Sequence, residues 1–218
     1  MSELTSPFRV GAVLFPGFEV LDMYGPLKMF GGVAFRQGAR ASERVEMSML
    51  AQHPGPVPSS QGPATVADAA LAGSGGFDVL LVPGGRGTRR EVANAAFIDQ
   101  LGRQCAGARF VASVCTGSAL LARAGVLDGR NATTNKRAFG WVASQGPAVN
   151  WIAEARWVED GKFFTSSGVS AGMDMALGLI ARLFGGPVGA DIAQQAEYEW
   201  HADPAWDPFA RLNGLVGR

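Results

Sequence analysis

Cys115 lies between a short apolar run and a helix-forming stretch, within the sequence FVASVCTGSALLARA. The run before it has the length of a buried strand, so the cysteine is expected on a sharp strand-to-helix turn. A thiol at that position faces the free N–H groups and the positive dipole end of a helix, which favour the thiolate. We therefore predict that Cys115 is a nucleophile with a lowered pKa. The N–H of Thr116 would stabilise a developing anion.

The other cysteine, Cys105, falls within a predicted helix, where a free cysteine is most often an inert core residue. Two cysteines are too few for a disulfide framework, which favours a reducing compartment. The first residues, MSELTSPFRV, include an acid and no apolar signal core. We therefore predict a cytoplasmic location.

Two carboxyl residues follow the first predicted strand, in the segment FPGFEVLDMYGP. Glu19 and Asp22 are three residues apart, so they share one face if the segment is helical. Asp22 stands among apolar neighbours, which would raise its pKa by desolvation, and it could exchange a proton with a thiol in the same crevice. The pattern is equally compatible with an acid at a helix N-terminus, a role that suits Glu19 better.

A pair of glycines ends the apolar run FDVLLV. Pro83 is followed by Gly84 and Gly85, and two glycines at a strand end can expose backbone N–H groups to a ligand. A simple tight turn is the alternative. The Gly-Lys-Ser/Thr part of a phosphate-binding loop is absent from this segment.

Apolar periodicity divides most of the chain into alternating strands and helices. Strands are predicted at 8–15, 44–51, 77–82 and 109–114, with shorter ones near Val57, at 64–67 and at 130–134. Helices are predicted at 19–30, 89–105, 116–124, 136–144, 171–184 and 187–200. Pro26 is expected to break or kink the first helix, and Asp160-Gly161 to turn a hairpin within 151–168.

This alternation predicts an α/β fold, with a doubly wound, mostly parallel sheet between layers of helices and a β-hairpin on one edge. The flavodoxin-like arrangement places sites beyond the carboxyl ends of the strands, where Cys115 is expected. No internal repeat or linker is visible, so a single domain over 1–218 is predicted. Its core would span about 8–200, followed by a tail at 203–218 with little pattern.

Charge and hydropathy disfavour several classes of partner. Nineteen basic residues balance nineteen acidic ones without a basic block, so no nucleic-acid partner is expected. The apolar runs are strand-sized, so no membrane span is expected either. A small-molecule substrate is the predicted ligand.

Three motifs, VPGG, ASVCTGSALLARAGVLDGRNATT and SSGVSAGMDMAL, occur in this order along the chain. With them the chain resembles the ThiJ/PfpI superfamily, of the class I glutamine amidotransferase-like fold, over about residues 8–200. The segment FPGFEVLDMYGP is similar to the branch that contains isonitrile (isocyanide) hydratase.

The resemblance implies roles for individual residues. Cys115 matches the nucleophilic cysteine of the family, and Asp22 the acid that transfers a proton in the hydratase. Gly84, Gly85 and Thr116 match backbone positions around the nucleophile. Val169 and Ser170, in the GVSAG loop, are implied to lie near the site. The implied reaction adds water to an isocyanide, through a thioimidate on the cysteine, to give an N-substituted formamide. The resemblance implies no metal and no organic cofactor. It also implies a homodimer.

Two departures from the family pattern bear on this reaction. The hydratase-like pattern has a histidine after ATT, whereas this chain has Asn135, which can bind substrate by hydrogen bonds but cannot act as an acid or base. Thr116 follows the cysteine where PfpI-type proteases have histidine, which disfavours peptidase and amidotransferase chemistry. The two histidines, His53 and His201, are expected at the surface.

Two other functions stay open at this point. One is a ligand-sensing or regulatory module without catalysis, since some superfamily members are fused to helix-turn-helix domains. About forty residues follow the last family motif, which is fewer than such a domain ordinarily has. The other is glyoxalase- or deglycase-like action on reactive carbonyls, which the missing Cys–His pair disfavours.

Overall fold

A computed structural model describes residues 7–36 and 44–217. Its strands are β1 Phe8–Val13, β2 Val45–Ala51, β3 Gly55–Pro58, β4 Ala64–Ala67, β5 Ala69–Ala70, β6 Val79–Val82, β7 Phe110–Ser113, β8 Asn131–Ala132, β9 Asn150–Trp151, β10 Trp157–Asp160 and β11 Phe163–Ser166. Its α-helices are α1 Val20–Gly32, α2 Thr88–Glu91, α3 Ala95–Gly107, α4 Gly117–Arg123, α5 Phe139–Gln145, α6 Ala171–Phe184, α7 Gly186–Gln195 and α8 Pro208–Leu212. A 3₁₀ turn, Val33–Phe35, extends α1.

Seven strands form the central sheet in the order β10–β11–β7–β6–β1–β2–β5. All neighbours are parallel except β10 and β11, which form an antiparallel edge hairpin. The helices fall into two groups that contact each other internally, α1, α6 and α7 in one and α2 to α5 in the other. The predicted doubly wound, mostly parallel sheet with an edge hairpin is therefore confirmed.

The middle strands are apolar because they are covered on both faces. Every residue of β6 is buried, and β1 and β7 are buried except for one half-buried residue each. The carboxyl ends of β1, β6 and β7 lie side by side, because these strands are parallel neighbours. Loops that follow these three strands are thereby brought together at one edge of the sheet.

The sequence predicted that Pro26 would divide the first helix, but the helix is not divided there. α1 continues through it, although proline removes one backbone hydrogen bond. The ring is buried, and α1 packs closely on α6 through small residues: a Cβ added to Gly25 would lie 2.9 Å from Met173 Cγ. Tertiary packing therefore outweighs the local preference.

Other element boundaries differ from the prediction. The helix expected over 89–105 is two helices, because the Asn94 side chain accepts a hydrogen bond from the N–H of Phe97 and caps a new helix there. The helix expected over 187–200 ends at Gln195, and Glu197 follows with φ +49°. The tail contains α8, which begins with an Asp207 cap and a proline.

A buried ion pair attaches the C-terminal region to the sheet. Asp174, in the first turn of α6, accepts hydrogen bonds from Arg156 Nε at 2.8 Å and from the Tyr198 hydroxyl at 3.0 Å. Arg156 Nη1 also lies 3.9 Å from Asp207, which caps α8. In the described part of the chain, no helix is long and apolar enough to cross a bilayer.

Candidate active site

Cys115 lies on a strained turn between β7 and α4. Its φ is +56°, a left-handed value that residues other than glycine rarely adopt. Hydrogen bonds on both sides hold the turn: its N–H donates to Ser167 O at 2.9 Å, and its carbonyl accepts from Thr134 Oγ1 at 2.8 Å. A glycine is required two residues later, at Gly117, since a Cβ there would collide with the carbonyl oxygen of Val82. This is the geometry of a nucleophile elbow.

Asp22 is the acid that interacts with this thiol. It belongs to the first turn of α1 and is fully buried, whereas Glu19 precedes the helix as its cap residue and is half-buried. Asp22 Oδ2 accepts a hydrogen bond of 2.9 Å from the N–H of Gly84. Its Oδ1 is buried without a hydrogen bond of normal geometry among the described residues. One oxygen is thus anchored and the other is left to exchange a proton.

Burial raises the pKa of Asp22 to about 8, and the negative charge of Glu19 adds to the effect. The Gly84 hydrogen bond and the contact with the Cys115 thiol act in the opposite direction but are weaker. Asp22 is therefore mostly protonated at neutral pH. It can act as an acid, which an ordinary aspartate cannot do at this pH.

The predicted lowering of the Cys115 pKa is wrong. Burial raises this pKa well above the usual thiol range, and the Asp22 carboxylate raises it further. The N–H groups of Thr116 and Val169 and the Thr116 hydroxyl favour the thiolate, but they do not outweigh desolvation. The Asp22 carboxylate thus opposes ionisation of Cys115, whereas contact with the neutral thiol slightly favours the Asp22 carboxylate, so the two groups titrate as a pair.

The paired glycines have a different use from the expected one. Gly84 donates its N–H to Asp22, and Gly85 donates its N–H to Thr116 Oγ1 at 3.1 Å, so neither is free for substrate. A side chain at Gly84 would crowd Cys115 and Asp22, which together form the dyad of the site. Its Cβ would lie 2.6 Å from the Thr116 nitrogen and 2.8 Å from Asp22 Oδ2. The glycines position the acid and the elbow.

A cavity of about 640 Å³ opens above the thiol. Five of the residues predicted for the site line it, namely Gly85, Cys115, Thr116, Asn135 and Val169. The other lining residues are Glu19, Arg86, Arg89, Arg137 and Ala138. Asp22 and Gly84 are buried beside them. A cavity of this size accepts a small organic molecule.

Val169 is the second strained residue at the site, with φ +43°, which is unusual for a β-branched side chain. This conformation lets its N–H interact with the Cys115 sulfur. Ser170 does not line the same cavity but a neighbouring one of about 320 Å³, between the 167–170 loop and α8. Phe209 and Asn213 of the C-terminal region form the far wall of that cavity.

Asn135 faces both cavities. Its Oδ1 accepts a hydrogen bond of 3.0 Å from the N–H of Ala138, and its Nδ2 lies against Gly168. The amide is thus partly engaged in holding the turn before α5. It presents a hydrogen-bond donor where the sequence comparison had led one to expect a histidine.

Neither histidine reaches the site. His53 and His201 are both exposed, and neither lines the cavity above Cys115. Within 7–36 and 44–217, no group of three or more His, Cys, Asp or Glu side chains is placed to hold a metal ion. Cys105 is fully buried, as expected of a core cysteine.

The sequence interpretation missed three arginines. Arg86, Arg89 and Arg137 all line the cavity; the first two are three residues apart, and Arg137 lies far from them along the chain. A partial signal was available, because Arg86 directly follows the glycine pair and Arg137 lies two residues after Asn135.

Comparison with known proteins shows the family to which the chain belongs. A model of the DJ-1/PfpI family matches residues 9–182. Isonitrile hydratase of Pseudomonas putida is 32% identical over 201 residues, which cover 92% of this chain and 81% of that protein. A crystal structure of a ThiJ/PfpI family protein from Pseudomonas syringae superposes with a TM-score of 0.77 at 28% identity, over 95% of this chain and 84% of that one.

A regulator is also among the similar proteins. An HTH-type transcriptional regulator of Pseudomonas aeruginosa is 30% identical over 89% of this chain. The matched part is 52% of that regulator, so this chain corresponds to about half of it.

Proposed function

Because the chain belongs to the DJ-1/PfpI family, we propose that it is a cysteine enzyme of the isonitrile hydratase type, a lyase that needs no cofactor. The observation that carries the proposal is the buried Cys115–Asp22 pair, in which the carboxyl is protonated near neutral pH. A thiol and a neutral carboxyl supply a nucleophile and an acid without histidine or metal.

The first step joins the thiol to the isonitrile. Cys115 sulfur attacks the terminal carbon of R–N≡C, and the S–C bond forms as that carbon accepts a proton from Asp22. Asp22 then holds the proton released by the thiol, so its protonation is restored. The product is a thioimidate, R–N=CH–S–Cys115. The N–H groups of Thr116 and Val169 favour the sulfur anion as it forms.

The second step releases the product. Water adds to the thioimidate carbon while the nitrogen takes up a proton, and the resulting tetrahedral adduct has one OH and one S–C bond. The S–C bond then breaks as the hydroxyl proton of the adduct passes to the Cys115 sulfur, which restores the thiol and yields R–NH–CHO. The sum is R–NC + H₂O → R–NH–CHO, with the enzyme unchanged.

Cysteine hydrolases commonly pair the nucleophile with a histidine, and neither histidine of this chain lines the cavity above Cys115. A Cys–His pair keeps the thiolate formed before substrate arrives. Here burial keeps the thiol neutral, so nucleophile formation is coupled to proton delivery by Asp22. Addition of S and H to a single carbon consumes a thiol and a proton together, which supports an isonitrile over an amide or a glycated amine as substrate.

Ligand sensing without catalysis is the alternative, and the similarity to the transcriptional regulator favours it. A sensor has no need for a strained cysteine at φ +56° above a buried acid. We therefore rank the enzyme first.

The experiment is turnover of alkyl and aryl isonitriles, with the formamide measured by chromatography. Wild type is expected to form it, while Cys115→Ala and Asp22→Asn fall by at least about 100-fold, as expected for loss of a nucleophile or an acid. No turnover of any isonitrile by a folded wild-type protein would refute the proposal. Methylglyoxal, assayed in parallel, tests the deglycase alternative. A homodimer is proposed as well, and light scattering measures its mass.

A further inference from the structure

The cavity above Cys115 carries an excess of positive charge. Three guanidinium groups, of Arg86, Arg89 and Arg137, line it together with one carboxylate, of Glu19. Its base adds no negative charge near neutral pH, because burial keeps both Cys115 and Asp22 protonated. A neutral isonitrile would have no use for such a lining.

Two of the guanidinium groups have no counterion among the residues that the structure describes. Within the described residues, the side chains of Arg86 and Arg137 make no hydrogen bond or ion pair, and both are exposed. The neighbouring Arg90, outside the cavity, is by contrast paired with Glu91 at 2.6 Å. Unpaired arginines beside a catalytic thiol are available to a ligand.

The other charged groups of the cavity are held in place. The Arg89 guanidinium lies over the Trp141 ring, 4.4 Å from its centroid, which orients it. Glu19 Oε2 accepts a hydrogen bond of 2.7 Å from Gln61. The acid is thereby tied to the rim, and it would repel a dianion more strongly than a monoanion.

We propose that the substrate carries a carboxylate, bound by Arg86 and Arg137 with Arg89 beside them, which directs the reactive carbon to Cys115. Guanidinium groups match the planar carboxylate through paired hydrogen bonds, so they orient it as well as attract it. Resting on the proposed function, this inference narrows the substrate class to isocyano-carboxylates, such as isocyanoacetate.

The first test uses two alkylating reagents of equal size and does not depend on isonitrile chemistry. Iodoacetate and iodoacetamide differ in charge, and mass spectrometry of the Cys115 peptide gives the rate of each. The iodoacetate rate is divided by the iodoacetamide rate, and this ratio is divided by the same ratio for N-acetylcysteine at the same pH. The normalised ratio should be about ten or more in wild type, since a charge-assisted contact is worth about that factor. A normalised ratio at or below one would overturn the proposal.

Variants identify the groups responsible. Arg137→Gln and Arg86→Gln should each return most of the ratio towards one, and added salt should lower it in wild type. Arg182→Gln is the matched control, because Arg182 is exposed at the far end of α6 and pairs with Glu159. A ratio that Arg182→Gln lowers as much as Arg137→Gln would assign the effect to net charge and overturn the subsite.

A second test separates failure of this inference from failure of the proposed function. Binding of isocyanoacetate and of its methyl ester to Cys115→Ala is measured by calorimetry, and both compounds are given to wild type. About tenfold tighter binding of the anion to Cys115→Ala, which is lost when Arg137→Gln is added, supports the subsite. This holds even if wild type turns over neither compound. Turnover of both with equal kcat/KM and equal affinity would leave a hydratase without the subsite. If neither iodoacetate nor iodoacetamide alkylates Cys115, the difference in affinity between isocyanoacetate and its methyl ester decides whether the carboxylate subsite exists.

Discussion

Replacement of Asp22 by asparagine should stabilise the protein while it removes the proposed acid. The wild-type carboxyl is buried, with a pKa of about 8 in the folded protein against 3.8 for an ordinary aspartate. Between these values the folded protein binds a proton that the unfolded chain has released. Its stability therefore falls as pH rises through this window, and the loss is complete above about pH 8. Asparagine has the same shape and no such proton.

The magnitude follows from the two pKa values. Each pH unit between them costs the wild type about 1.4 kcal/mol of unfolding free energy. The loss therefore reaches about 4 kcal/mol at pH 7, about three units above 3.8. An imperfect fit of the amide subtracts a constant of about 1–3 kcal/mol from this gain. The pH dependence is thus more diagnostic than the absolute gain.

The assay is urea unfolding at pH 5 and pH 7, in a Cys115→Ala background so that the thiol does not titrate. The stability difference between Asp22→Asn and its parent should grow by about 3 kcal/mol over these two units. Asp128→Asn is the matched control, because Asp128 is exposed, and its difference should stay nearly constant. A difference for Asp22→Asn that does not change with pH, or that shrinks as pH rises, would refute the raised pKa.

Three further predictions concern the surroundings of the dyad. Gly84→Ala should lower kcat/KM by about 100-fold or more, since the new Cβ would lie 2.8 Å from Asp22 Oδ2; unchanged kinetics would show that the acid needs no such anchor. Asp174→Ala should lower the unfolding free energy by about 3–5 kcal/mol, because it leaves Arg156 buried without its 2.6 Å partner, and a loss below about 1 kcal/mol in urea unfolding would contradict this. The rate of Cys115 alkylation by iodoacetamide should still be rising above about pH 8.5, the usual thiol value, because burial raises its pKa; a plateau by pH 7 would exclude this.

The fold and the elbow were predictable because their signals are local. The apolar run before Cys115 and the small residues after it predict a strand, a turn and a helix, and the structure has β7, the strained turn and α4 in that order. Asp22 was proposed from its apolar neighbours, and it is buried beside the thiol.

What the sequence could not predict depends on distant contacts. Pro26 remains helical because α6 packs against it, and no local pattern shows this. The Cys115 pKa is a balance between desolvation and a helix terminus, and burial depth is known only from the fold. Arg86 and Arg137 are 51 residues apart by their numbers, so their shared cavity is invisible until the loops meet.

The thioimidate on Cys115 is the central claim, and the most direct test is to quench the wild-type protein with acid during turnover of an isonitrile. Mass spectrometry of the Cys115 peptide should then show an added mass equal to that of the isonitrile, which disappears as the formamide accumulates, while Cys115→Ala forms neither. Formamide formation at the wild-type rate by Cys115→Ala would contradict the account.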